Sequence, residues 1–394
     1  MCRAALAGRL SAAHHRLVLR VRAGLPHGGP SAASKVLAVS HSLLLMFVPE
    51  TQAGWSRLSF GGVVDGLRRH GLLPLALEGG CGNDAILPTL RATVEQGARE
   101  RVHQEDSLIA RVLEALNARG CAALLLKGAA LGRWLYARPE LRPASDVDLL
   151  VDPRRHLDAH AALSAAGFES DGYSQHDDAS CQASYLDPVS TRQLDLHWAL
   201  GVVPELVRGF EFDALLQRSQ PLRGPAGARG LGRIDALMHA VVHYRAHLPV
   251  EDRLGLWLHD IALLARGLDA SDWTELDRRV RAQGLAGLHA ATLREAAAWF
   301  PLSLPEAWLV DWECLGRSEA TRHWLDPVEN SLTRLWRSLR ALPNLRERMH
   351  YLRARLVPST HWMRGRYRAQ GSLGLLAAYF RRWLSGLQRV VAGR

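Results

Sequence analysis

An α+β fold, with a short strand-bearing core inside a mostly helical protein, follows from three features of the sequence. Two continuous apolar runs, "CAALLLK" at 121–127 and "VDLLV" at 147–151, have the length of buried strands. A proline turn, "PVST", separates "CQASYLD" from "RQLDLHWAL" in the manner of a hairpin. Nearly everything else carries apolar residues three and four apart, the period of an amphipathic helix.

In chain order, residues 55–78 and 87–118 read as helices packed ahead of the core, with Gly120 as the second one's stop. Residues 121–127 form a buried strand, and Gly128 opens a helical segment through Tyr136. "VDLLV" is the second strand. Asp152 then caps a helix with Pro153 at its first position, ending near Gly167. With the hairpin, the order is strand, helix, strand, helix, hairpin. "QPLRGPAGARGLGR" at 220–233 is dense in Gly, Pro and Arg and reads as a linker. From Ile234 onward only helical periods occur, interrupted by prolines at 301, 305, 327, 343 and 358. The expected organisation is a disordered or mis-started lead over 1–49, a helical segment over 50–118, the core over 119–219, the linker, and a helical C-terminal domain over 234–394.

With 394 residues, 48% hydrophobic, the chain is long enough for two or three packed units. The longest apolar stretch, "VLAVSHSLLLMFV" at 37–49, is broken by Ser and His and falls short of the roughly 18 residues that read as a membrane span, so none is expected. Five scattered cysteines (Cys2, Cys81, Cys121, Cys181, Cys314), without any C-x-x-C spacing, suggest neither a disulfide framework nor a zinc site; a reducing cytoplasm fits. The net charge of +10 is uneven: residues 1–49 carry six bases and no acid, and residues 331–394 carry fourteen arginines against Glu347 alone. The first segment superficially resembles a transit peptide. The second could attract phosphate-rich partners, a membrane surface or the acidic middle of the chain, a solvated helical surface being the plainer reading.

The chemistry concentrates around the strands. Asp146 and Asp148, two apart on an extended segment, project from one face while Val147 points to the core. Neighbouring carboxylates repel unless a cation lies between them, and hard oxygen donors of this kind suit Mg²⁺ together with substrate phosphates. In "RQLDLHW", Leu194 and Leu196 face the core, leaving Gln193, Asp195 and His197 on the opposite side. A strand holding Asp195 beside the first pair would complete a three-carboxylate cluster. Lys127 precedes Gly128 at a strand-to-helix turn, where backbone N–H groups favour anions and a lysine adds a compact point charge. Lys127 and Lys35 are the only lysines in the chain. His239, His243 and His247 line one face of a later helix, with His259 and Asp260 on the next. The Glu of H-E-x-x-H is absent, so packing or an acceptor pocket is favoured over zinc. Trp198, Trp257 and Trp273 read as core.

These residues carry a family resemblance. "LLLKGAAL", "LRPASDVDLLVD", "LDLHW" and "HAVVHYRAHLPVEDRLGLWLHDIALL" with "LDASDW" closely resemble the uncharacterised bacterial nucleotidyltransferase family of the DNA polymerase β superfamily. The resemblance runs from about Phe47 to the end and is strongest over 119–275. It implies a minimal nucleotidyltransferase core, a short mixed sheet with flanking helices. There Asp146, Asp148 and Asp195 would hold two Mg²⁺ or Mn²⁺ ions around a nucleoside triphosphate. Lys127 and Gly128 sit where the superfamily places a Gly-Ser phosphate-binding turn. Two departures stand out: Ala129 replaces the serine, and the interval from Gly128 to Asp146 is long. Lys127 would compensate for the first, and Arg142 would reach the triphosphate across the second. Arg133 and Arg138 read as surface charge, and Ser145, at the strand-entry turn and able to orient Asp146, joins Lys127, Gly128 and Arg142 in the expected nucleotide-binding set.

The implied activity is transfer of a nucleoside monophosphate to a hydroxyl acceptor on a small molecule, sugar, peptide or protein, with His197, His239, His243 and Asp260 as an acceptor pocket. The alternative is a nucleotide-binding regulatory partner with weak or no turnover, which the missing serine supports and the full set of acids opposes. Nucleic-acid binding through the arginine-rich end would need a continuous basic groove and is not favoured.

Overall fold

The strands of the described residues meet in one mixed sheet, in the order 169–170, 182–186, 193–197, 146–151, 123–126, 229–230 and 220–221. The computed structural model describes residues 60–78, 86–170, 181–201, 203–248, 254–325, 331–342 and 344–391. The lead over 1–49 lies outside them, as do Cys2 and Cys81.

The helix expected over 55–78 is two helices, α1 (Phe60–Arg69) and α2 (Leu73–Glu78), separated where Gly71 takes a φ of 70°; residues 55–59 lie outside the described residues. α3 (Ile86–Asn117) is continuous over 32 residues and stops ahead of Gly120, as expected. Then come β1 (Ala123–Leu126), α4 (Lys127–Trp134) and β2 (Asp146–Val151). Asp152 accepts the Arg154 N–H and starts a 3₁₀ turn that leads into α5 (His156–Ala165). β3 (Glu169–Ser170) is short, and β4 (Gln182–Leu186) with β5 (Gln193–His197) forms the hairpin.

After α6 (Pro204–Val207) and α7 (Phe212–Gln217), residues 220–233 contribute β6 (Gln220–Pro221) and β7 (Arg229–Gly230) to the sheet. β7 pairs with the open edge of β1 at Gly230, and Arg223 donates to the carbonyls of Arg133 and Ala137 at 2.7 and 2.9 Å. Strands of two residues carry too little pattern to show against a Gly- and Pro-rich composition, which is why this stretch reads as a linker.

Side chains alternate between two cores. Leu125, Val147, Leu149, Val151, Leu194 and Leu196 are buried with Leu108, Ile109 and Val112 of α3 and Leu163 of α5. Leu124, Leu126 and Leu150 belong instead to a larger core with the C-terminal helices α8 (Arg233–His247), α9 (Leu254–Arg266), α10 (Ala270–Gln283), α11 (Ala286–Trp299) and α12 (Glu306–Gly316). Asp146, Asp148, Asp195 and His197 share the face of Leu150, toward α8 and α9. Buried polar pairs tie these helices together: Arg279 of α10 donates to Asp235 of α8, and Arg245 Nε donates to Thr292 at 2.7 Å. The chain ends in α13 (Ser331–Ala341), α14 (Leu345–Leu356), α15 (Thr360–Tyr367) and α16 (Gly371–Val391). No helix among the described residues is long and apolar enough to cross a membrane.

Candidate active site

β2 is the strand on which the site is built. It runs antiparallel to β1, which places Leu126 opposite Asp148, and parallel to β5, which places Asp148 beside Asp195. The chain leaves β1 through Lys127, whose φ of 48° is left-handed. That backbone starts α4 at once and returns the ammonium to Asp148, Nζ to Oδ1 being 2.6 Å. His197 Nε2 donates to the same oxygen at 2.8 Å. Burial works against the Asp148 carboxylate, but Lys127 and His197 together outweigh it and hold its pKa well below the usual range.

Asp195 accepts from Ser184 Oγ at 2.7 Å and Gln193 Nε2 at 2.9 Å, both on Oδ1. Asp146 accepts from Ser145 Oγ on Oδ1 at 3.0 Å. Its pKa is raised, by burial first and then by Asp148. Each of the three carboxylates is thus held through one oxygen, and among the described residues no hydrogen bond reaches the second oxygen of any of them. Three acids face one ammonium, so the site retains an excess of negative charge that a bound cation would neutralise.

Asp148, Asp195 and His197 each offer a ligand atom, all within 4.8 Å of one another. The carboxylate oxygens are hard donors of the kind Mg²⁺ and Mn²⁺ take. Asp146 stands on the same face but outside this tightest group. The structure therefore brings His197 to the acids, whereas the sequence placed it in an acceptor pocket.

Arg142 is paired with an acid from α9. Its guanidinium is buried, donating to Asp260 Oδ2 at 2.6 Å and to the Pro143 carbonyl at 2.9 Å. Tyr136 donates to the same Asp260 at 2.6 Å, with His259 Nδ1 at 2.9 Å from the phenol oxygen. Burial and the Asp260 charge push the tyrosine pKa well above its ordinary value. The Arg142–Asp260 pair locks the loop ahead of β2 to α9. It also accounts for Gly128: a Cβ there would run into the Arg142 guanidinium and come within 2.9 Å of the Ala144 Cβ.

Arg133, expected at the surface, is 2% exposed and bonded to Asp106 at 2.6 Å and to the Ala129 carbonyl at 2.8 Å. Its acids come from α3, so the pairing is invisible in the local sequence. Arg138 is a surface residue, paired with Glu78 at 2.6 Å.

Beside Lys127 opens a cleft of about 500 Å³, its mouth included, lined by Trp134, Arg142, His239, His243, Trp257 and Asp260 among others. Trp257, read as core, packs edge-on against His243 with ring centres 4.6 Å apart and helps form this wall. Burial, then Lys127, lowers the pKa of His239 to about 3 and takes that of His243 well below its ordinary value, so both rings are neutral at pH 7. His239 Nε2 is buried without a hydrogen-bond partner. The sequence-predicted residues thus fall into two adjoining groups, the acids with Lys127 and His197, and the cleft with His239, His243 and Asp260. Sequence reading missed Ser184 and Tyr136, which sit on other elements, and also the bond from Gln193 to Asp195. For Gln193 the two-residue strand period was the available signal.

A family model described as an uncharacterised nucleotidyltransferase matches residues 59–301. No curated protein matches the chain. Among solved structures, the chain is similar to the solution structure of the antibiotic-resistance factor ANT(2'')-Ia, at 16% identity and a TM-score of 0.33, over 46% of this chain and 94% of that one.

Proposed function

Since the chain belongs to this family of uncharacterised nucleotidyltransferases, we propose that it transfers a nucleoside monophosphate from a nucleoside triphosphate to a hydroxyl acceptor, with Asp146, Asp148 and Asp195 as the working acids. The observation that carries this reading is the parallel register of β2 and β5, which sets Asp148 beside Asp195 with His197 at hydrogen-bond distance. Asp146, Asp148 and Asp195 would hold two Mg²⁺ or Mn²⁺ ions through their uncommitted oxygens, with His197 at the edge of the set. Ions bound there supply neutralisation of the triphosphate and a lowered acceptor pKa.

The chain's own groups do the rest. Lys127, whose side chain is 26% exposed, donates to triphosphate oxygens. Ser184 and Gln193 fix Asp195 through Oδ1 and leave Oδ2 uncommitted. The acceptor oxygen attacks the α-phosphorus, its proton passes to Asp195, and the bond to pyrophosphate breaks. The adjoining cleft receives the acceptor between Trp134 and Trp257, with the neutral histidines His239 and His243 as hydrogen-bonding groups.

One observation favours a second reading, nucleotide binding without turnover: Lys127 already neutralises Asp148. Incubation with each labelled nucleoside triphosphate, Mg²⁺ or Mn²⁺ and candidate sugar, peptide and protein acceptors separates the two. Pyrophosphate release that disappears in Asp148→Asn supports transfer; nucleotide binding with no release under any pairing supports the regulatory reading.

A further inference from the structure

Among the described residues, the C-terminal helices expose apolar side chains to an extent the others do not. Ten of the fourteen large hydrophobic residues exposed among the described residues lie beyond residue 330. Five of them, Leu373, Leu376, Phe380, Trp383 and Leu384, recur at three- and four-residue spacing on α16 and are 45% to 84% exposed. They form one stripe along the helix.

The opposite side of α16 is the side that packs. Ala378 is buried there, Tyr379 donates to the Pro358 carbonyl at 2.6 Å, and Arg382 donates to the Arg355 carbonyl at 2.9 Å while stacking over Trp362. The helix is therefore already docked on α14 and α15, and its apolar stripe is left over. At one margin Trp383 Nε1 donates to the Leu356 carbonyl at 2.6 Å, which joins the half-exposed Leu356 to the patch.

Charge selects the occupant. Arg381 flanks the stripe and lies over the Tyr367 ring, and Arg364, Arg366 and Arg368 are exposed at the adjoining end of α15. Across residues 331–394 the single acid, Glu347, is taken up in the Asn344 cap. A second copy of the chain docked stripe to stripe would press two strongly basic ends together. Residues 1–49 contain six bases and no acid, so they bring no countercharge to these arginines. A nucleic acid would meet the arginines but not the leucines and phenylalanine. An anionic lipid surface meets both, its phosphates taking the arginines and its acyl boundary the stripe. We propose that α16 docks this protein on an anionic membrane surface, lying in the plane of the interface.

The test uses full-length protein sedimented with vesicles of phosphatidylcholine alone or mixed with phosphatidylglycerol. Retention on the mixed vesicles only, weakened by salt, is expected. Leu376→Asp with Phe380→Asp should lower vesicle affinity by roughly tenfold or more. Arg364→Gln with Arg366→Gln and Arg381→Gln should lower it and flatten the salt dependence. All these side chains are exposed, so helix content and melting should match wild type in both variants. Equal binding to neutral vesicles, or unchanged binding in the apolar variant, overturns the proposal. Failure to bind mixed vesicles also overturns it, and light scattering or oligonucleotide retention on the same sample then identifies self-association or nucleic acid as the occupant.

Discussion

Lys127 Nζ lies 2.6 Å from Asp148 Oδ1, presented by a residue whose φ is 48°. A left-handed backbone costs a non-glycine residue roughly 1–2 kcal/mol. Glycine would adopt it without strain, so what lysine adds at this position is the ammonium on a buried carboxylate.

Two substitutions separate the backbone from the charge. Lys127→Gly relieves the strain but leaves Asp148 buried against His197 alone, and the net expected change is a loss of about 2 kcal/mol in urea unfolding. Lys127→Arg keeps the charge but replaces a point donor with a planar fork. A fall of about tenfold or more in triphosphate affinity by calorimetry is expected. An indifferent Lys127→Arg protein would sink the proposed phosphate contact.

Asp195→Ala removes the acid that Ser184 and Gln193 hold in place. Pyrophosphate release should drop by roughly a thousandfold or more, while triphosphate binding, carried mainly by Lys127 and the other two acids, changes little. Loss of binding and turnover in equal measure would move Asp195 from the reaction to the binding of substrate.

Asp260→Asn leaves the Arg142 guanidinium buried without its countercharge. A loss of about 3 kcal/mol is expected in denaturant unfolding, with a smaller loss for Tyr136→Phe, which removes one hydrogen bond to the same carboxylate. Arg133→Met tests the corresponding staple to α3 and should cost a similar amount, about 3 kcal/mol. Either change falling within the scatter of surface substitutions, roughly 0.5 kcal/mol, would show that the pair contributes no stability.

His289 on α11 is buried, with Nδ1 2.8 Å from the Leu285 carbonyl, and burial lowers its pKa to about 4 from 6.5. Burial lowers His259 to about 4 as well. Between about pH 6.5 and about pH 4 the unfolded chain therefore binds more protons than the folded one. Stability should fall as pH drops through this window and be insensitive to these groups above it. His289→Gln should flatten the slope of Tm against pH; the same slope in variant and wild type would assign the acid sensitivity to other groups.

Much of the site was legible because strand alternation is local. "VDLLV" and "LDLHW" show which residues are buried, and a period of two then puts Asp146 with Asp148, and Asp195 with His197, on the same face. The role of Ser145 was legible for the same reason, since it is adjacent to the acid it holds. Arg133 was misread, and the partner of Arg142 was not foreseen, because a guanidinium looks the same in sequence whether solvated or buried. Its environment depends on acids supplied by α3 and α9.

The sequence by itself determined the helical and strand periods, the pairing of acids along each strand, and the presence of a lysine at the β1–α4 turn. Only the tertiary structure decided which strands lie side by side and which charges meet. Asp148 finds His197 49 positions away, and Arg142 finds Asp260 118 positions away. The physical reason is one of range: side-chain direction is set by neighbouring backbone dihedrals, whereas a salt bridge in the core is set by the packing of whole elements, which no local pattern encodes.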